Sequence, residues 1–100
     1  MDNEKLIFMC EEYVHLFWCI EDLKDGGIFA LYGLEQRRLM LHDDICDMLE
    51  IDHEKSKSIL SYLDVWIGLN LQEQPTSEQL KEYGINLADL LISKKPELVA

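Results

Sequence analysis

The feature that most limits what this chain can fold into is its first long apolar stretch, Leu6 to Leu23. Apolar side chains stand at 6–10, 13, 14, 16–20 and 23. On a helix turning about 100° per residue, Glu4, Glu11, Glu12, His15 and Asp22 fall on one narrow polar stripe. Phe8, Tyr13, Phe17 and Trp18 spread over the rest of the circumference, so such a helix must be covered on several sides. Glu11, Glu12 and His15 break the run before it reaches the roughly 18 to 20 uncharged residues that a bilayer requires. The stretch also lacks the basic start and small-residue cleavage site of a secretory signal. It is expected to be the central helix, about residues 3–25, of a compact all-α bundle of four to five helices.

The remaining punctuation fits that bundle. Asp2 or Asn3 can cap the first helix, and Asp25-Gly26-Gly27 can end it with residues that tolerate left-handed dihedrals. Ile28 to Tyr32 reads equally as the first turn of a second helix or as a separate turn before Gly33. From Leu34 the spacing is helical: Leu34, Arg38, Leu41, Ile45, Met48 and Leu49 share a face, with Glu35, Asp43, Asp44 and Asp47 outward. Asp52 can cap a third helix with Glu54 in its first turn and an apolar stripe of Ile59, Leu60, Leu63, Trp66, Ile67 and Leu71. Gln72 to Pro75 is a loop, because the residue before proline is pushed out of the helical region. Thr76-Ser77-Glu78-Gln79 fits a capping box for a fourth helix expected to run to about Lys94, stopped by Pro96. Gly84 is then a close-packing point within that helix, the alternative being a break at Tyr83. No strand-like alternation, repeat or linker interrupts residues 1–100, which read as a single helical domain.

Charge narrows the function. The chain carries a formal charge of −11, and residues 1–26 alone hold seven acids against two lysines. Non-specific nucleic-acid affinity comes mostly from Lys and Arg on phosphate, so this balance argues against a broad nucleic-acid or anionic-membrane surface. Three cysteines, an odd number, suit free thiols in a reducing, cytoplasmic setting.

Residues 44–63 nevertheless resemble the helix-turn-helix of bacterial regulators, within a unit of about 34–71. Ile45 and Leu49 match the buried face of its first helix, Cys46 the small residue there, Ile51 the apolar turn residue, and Ile59 and Leu63 the inner face of the second. Glu50 stands where that family usually has glycine, and Ser56 where it prefers a branched apolar residue. The resemblance implies a DNA-binding transcription regulator with Lys55, Lys57 and Ser58 toward the major groove and Arg37 and Arg38 on phosphate.

Two His-x3-Cys pairs, His15 with Cys19 and His42 with Cys46, each project from one helical face. Brought together they could supply four tetrahedral zinc ligands, with Glu11 one turn before His15. The plainer reading makes Cys10, Cys19 and Cys46 small core residues, a common role for cysteine. Glu12 with His15 and Glu50 with His53 have the spacing used in di-iron bundles, but no further pair of inward glutamates stands out. Neither a phosphate-cradling glycine loop nor a serine nucleophile elbow is present, and neighbouring acids such as Asp43 and Asp44 diverge on a helix. No enzyme and no cofactor is expected.

What remains is surface. Trp18, Tyr32, Tyr62, Trp66 and Tyr83 are more aromatic area than one small core readily hides, and such side chains favour contact hot spots. The expectation is an acidic protein of interaction or regulatory type that binds another protein and forms a homodimer. Its contacts would come from Glu11, Glu12, Asp43, Asp44, Asp47, Trp18 and Trp66, with Glu21, Asp22 and Asp25 adding to an acidic face that steers it to a basic, nucleic-acid-binding partner.

Overall fold

A computed structural model describes residues 3–22, 28–52 and 56–98, with side chains described outside 28–30, 56–60 and 97–98. Four helices follow in order: α1 Asn3–Asp22, α2 Ile28–Met48, α3 Ser56–Asn70 and α4 Ser77–Leu98. The described residues contain no strand, and the all-α bundle expected from the pattern is what forms. No helix among them is long and apolar enough to cross a membrane.

α1 is central because its girth is used. It packs chiefly against α4 and α2 and also touches α3, burying Leu6, Cys10, Tyr13 and Val14 almost completely. Glu12 meets Arg37, while Lys5 and Met9 border the same cleft as Asp44 and Asp47, so α1 and α2 run antiparallel. Gly84 lies on Ile7 and Glu11, and Leu80 shares a cleft with His15, which makes α4 antiparallel to α1 as well. α2 and α4 therefore end at the same pole. Leu41, Ile45 and Cys46 of α2, Leu63 and Ile67 of α3, and Leu87, Ala88 and Leu91 of α4 complete one core. Ile45, Cys46, Leu49, Ile51 and Leu63 are buried, as the helix-turn-helix alignment requires.

Helix ends follow local chemistry. At the start of α4 the Gln79 N–H donates to Thr76 Oγ1 at 3.2 Å and the Thr76 N–H donates to Gln79 Oε1 at 2.9 Å, a reciprocal capping box. Gly84 is inside the continuous α4. A Cβ there would sit 2.9 Å from the Ile7 carbonyl oxygen and 3.0 Å from the Glu11 Cβ, so only glycine lets the two backbones approach this closely. Of the two readings of Ile28 to Tyr32, the helical one holds, since α2 runs unbroken through Gly33.

Two expectations need correction or lie elsewhere. Pro96 does not stop α4, which continues to Leu98. Its missing N–H removes one bond, to the Ile92 carbonyl, in a terminal turn whose last carbonyls have no helical partner in any case. α1 is described only to Asp22, so the expected stop at Asp25-Gly26-Gly27 lies outside the described residues, as does the first turn expected after Asp52 with Glu54.

Candidate functional site

A part-buried polar cluster joins three helices. The Tyr13 hydroxyl on α1 donates to Asp64 Oδ1 on α3 at 2.9 Å, and Arg38 on α2 donates to Asp64 Oδ2 at 2.8 Å and to the Tyr13 oxygen at 3.3 Å. The remaining face of that guanidinium donates twice to Glu35 Oε2, at 3.0 and 3.2 Å. Burial, and then Asp64, push the Tyr13 hydroxyl far above the ordinary phenol range, so it stays a donor. Arg38 is thus held by carboxylates on both sides. Arg37, exposed, is likewise engaged, donating through Nε and Nη2 to Glu12 Oε1 at 3.0 and 2.9 Å. These are the two arginines the helix-turn-helix resemblance assigns to phosphate; Lys55, and the side chains of Lys57 and Ser58, lie outside the described residues.

The His-Cys pairs form, each within its own helix. Cys19 Sγ lies 3.7 Å from His15 Nε2 on the exposed side of α1, and Cys46 Sγ lies 3.7 Å from His42 Nε2 inside the bundle. The two pairs do not converge. Among the described residues no group of three or more His, Cys, Asp or Glu side chains is arranged to hold a metal, so the four-ligand zinc site His15–Cys19–His42–Cys46 is not assembled. The physical reason is the helical face: His15 belongs to the outer stripe of α1, whereas His42, 3% exposed, belongs to the inner face of α2. Burial, and then Asp43 and Asp47, push the Cys46 thiol up to about 11, and burial pushes Cys10 up to about 12, which keeps both protonated at neutral pH. Of the di-iron spacings, Glu12 turns to Arg37 and His53 lies outside the described residues.

One acidic run stands at the end of α2. Residues 39–52 hold Asp43, Asp44, Asp47, Glu50 and Asp52 with no Lys or Arg, and all five acids are exposed. This is the C-terminal end of α2, where the helix dipole already places partial negative charge and a basic side chain is the stabilising choice. α4 has that choice in Lys95, and α2 has none. The turn that follows breaks a second local rule. The Ile51 N–H donates to the Cys46 carbonyl at 2.9 Å and the Glu50 N–H donates to the Asp47 carbonyl at 3.1 Å, the paired bonds of a Schellman cap. Its left-handed position is Glu50, with φ 59°, where glycine would carry no Cβ penalty. Leu39 and Met40 stand exposed on the same half of α2, and Asp47, Met48, Leu49, Glu50, Ile92 and Lys95 line a cleft between the ends of α2 and α4.

The aromatic expectations divide. Trp66 is half-buried against the core and meets Tyr83 edge to face, ring centroids 6.1 Å apart, while the Tyr83 hydroxyl donates to the Asn70 carbonyl. Tyr62 also packs on the core, Trp18 is half-buried on α1, and Tyr32 is exposed. Glu11 is half-buried beneath α4. Phe8, expected away from the polar stripe of α1, stands on it: it is 65% exposed and shares a cleft with Glu11, Glu12 and His15, and its spacing of four from Glu4 and Glu12 is the signal that could have found it. In the comparisons with known proteins, the chain matches no family model, no curated protein and no solved structure.

Proposed function

We propose that this chain works by binding another protein rather than by catalysis, with the C-terminal half of α2 receiving a basic partner. The observation that carries the reading is the five acids of residues 39–52, gathered at a helix end whose own dipole opposes them. Acids set against a helix dipole, and a non-glycine residue at the left-handed position of its cap, are the kind of local choice expected where function, not folding, selects the residues. Exposed Leu39 and Met40 beside Asp43, Asp44 and Asp47 supply the apolar anchor that charge alone lacks. A partner with a basic nucleic-acid-binding surface would be steered to this pole and blocked there, making the chain a modulator of that partner. The chain acts as a homodimer in a reducing cytoplasm, where Cys10, Cys19 and Cys46 remain thiols.

The test uses the wild-type chain and the triple variant Asp43→Asn, Asp44→Asn, Asp47→Asn as immobilised baits at low salt. Basic proteins retained by the wild type and released by the variant, or by raised salt, are the expected result. A retained set indifferent to both changes would overturn it.

A further inference from the structure

α3 is the least anchored of the four helices. Its packing against each of the other three is thin beside that of α1 on α4 or α2. Of its described side chains only Leu63 and Ile67 are buried, whereas α1 buries Leu6, Met9, Cys10, Tyr13, Val14, Leu16 and Ile20. Val65 and Leu69 face solvent, 62% and 74% exposed.

The helix also has little of its own to hold it. Ser56–Asn70 contains three serines, Gly68 and the β-branched Ile59, Val65 and Ile67, all poorer helix formers than alanine or leucine. Its two charged residues, Lys57 and Asp64, are seven apart, too far to reinforce a helix as a neighbouring pair does. A helix of 15 residues with this composition depends on packing to exist in water.

The polar contacts that close α3 on the bundle can break without stranding a charge. Asp64, with its side chain 34% exposed, accepts from Tyr13 and Arg38. When α3 leaves, its carboxylate passes to water, while Arg38 keeps its two bonds to Glu35 on its own helix and its bond to the Tyr13 oxygen. The ties to α4 lie at the rim: the Trp66 ring on Tyr83, and the Tyr83 hydroxyl on the exposed Asn70 carbonyl.

We infer that α3 is a cover that opens, leaving the bundle and unfolding as one unit while α1, α2 and α4 stay packed, far more often than the whole chain unfolds. The open state presents to solvent the side of Arg38 and Tyr13 that Asp64 occupies when closed, together with the core surface beneath Leu63 and Ile67. It is a second conformation with a face that the closed bundle hides, and a ligand for that face would raise its population.

The experiment is amide hydrogen exchange of the full chain in low urea, read residue by residue by NMR for the wild type, Asp64→Asn and Gly84→Ala. In the wild type the slowest α3 amides should open at least about 30-fold more often than the slowest amides of α1 and α4. Asp64→Asn weakens contacts that are broken in the open and the unfolded state alike, so it should raise opening about 5-fold in α3 and in α1 and α4 together. Gly84→Ala strains the contact between α1 and α4, which the open state keeps. It should raise opening about 10-fold in α1 and α4 and leave α3 unchanged. A wild type whose α3 amides open only together with those of α1 and α4 would overturn the inference. So would an α3 that accelerates in step with α1 and α4 in Gly84→Ala.

Discussion

At the level of single residues, the chain shows where folding has been compromised. Glu50 occupies the left-handed position of the cap that ends α2, next to the negative end of that helix. Glu50→Gly removes both the Cβ penalty and a charge facing the dipole, so it should raise stability by about 1 kcal/mol, read as a higher urea midpoint with unchanged slope. If the same variant also binds the basic partner less well, stability has been traded for contact at this pole. Tyr13 shows the opposite economy. Its hydroxyl donates to Asp64 Oδ1 at a part-buried contact between α1 and α3, and Tyr13→Phe removes that bond at a cost of about 1 kcal/mol, measured by the same denaturation. The thiols give a pH dependence with a definite sign. Cys46 and Cys10 titrate at about 11 and about 12 in the folded chain, above an ordinary thiol, so the folded state holds their protons longer than the unfolded state does. The stability they contribute is complete below the unfolded thiol range and is lost as pH rises through the folded values. Urea midpoints should therefore fall more steeply between pH 8 and pH 10.5 for the wild type than for a Cys10→Ala, Cys46→Ala double variant; equal slopes would exclude the effect.

At the level of elements, two helical glycines that look alike in sequence have opposite roles. Gly33 lies on the outer face of α2 with no atom within 4 Å of a Cβ, so Gly33→Ala should gain the helix propensity difference of about 1 kcal/mol. Gly84 faces the α1 backbone, and Gly84→Ala forces apart the pair of helices that packs most extensively. The same propensity gain is then outweighed by overpacking, for a net loss of about 1 to 3 kcal/mol; thermal melts of the two variants should move in opposite directions. The sequence pattern supported a helix through Gly84 and the capping box at Thr76, because both depend on neighbours within one or two turns. It was silent on Gly33 for the same reason: Ile28 to Tyr32 is too short for periodicity to separate a turn from a helix. Pro96 was read as a stop because proline breaks helix interiors, whereas in a final turn the loss is the single bond to the Ile92 carbonyl, with no later turn to disrupt.

At the level of the whole molecule, charge and apolar surface are sorted to different places. A net charge of −11 on a chain of 100 residues repels itself. Raising salt from low to physiological strength and beyond should screen that repulsion and lift the melting temperature by about 5 °C, and a melting temperature that falls would mean attractive pairs dominate. The sequence by itself determined what depends on composition and local period: an all-α chain, a first helix apolar over most of its girth, an acidic surface, and the burial of Ile45, Leu49, Ile51 and Leu63. Only the tertiary structure decided which residues meet across helices. It kept His15 and His42 on different faces of the bundle, so that two promising ligand pairs never became one site. It turned Arg38 inward to Asp64 and Tyr13, and it placed Trp66 on Tyr83 instead of on the surface. It left the surplus apolar face on α3, not on α1, since α2 and α4 cover the first helix from either side. Period reports which residues share a face of one helix; the rotation of each helix about its own axis, which chooses the neighbour that face meets, is set by the packing of all four together.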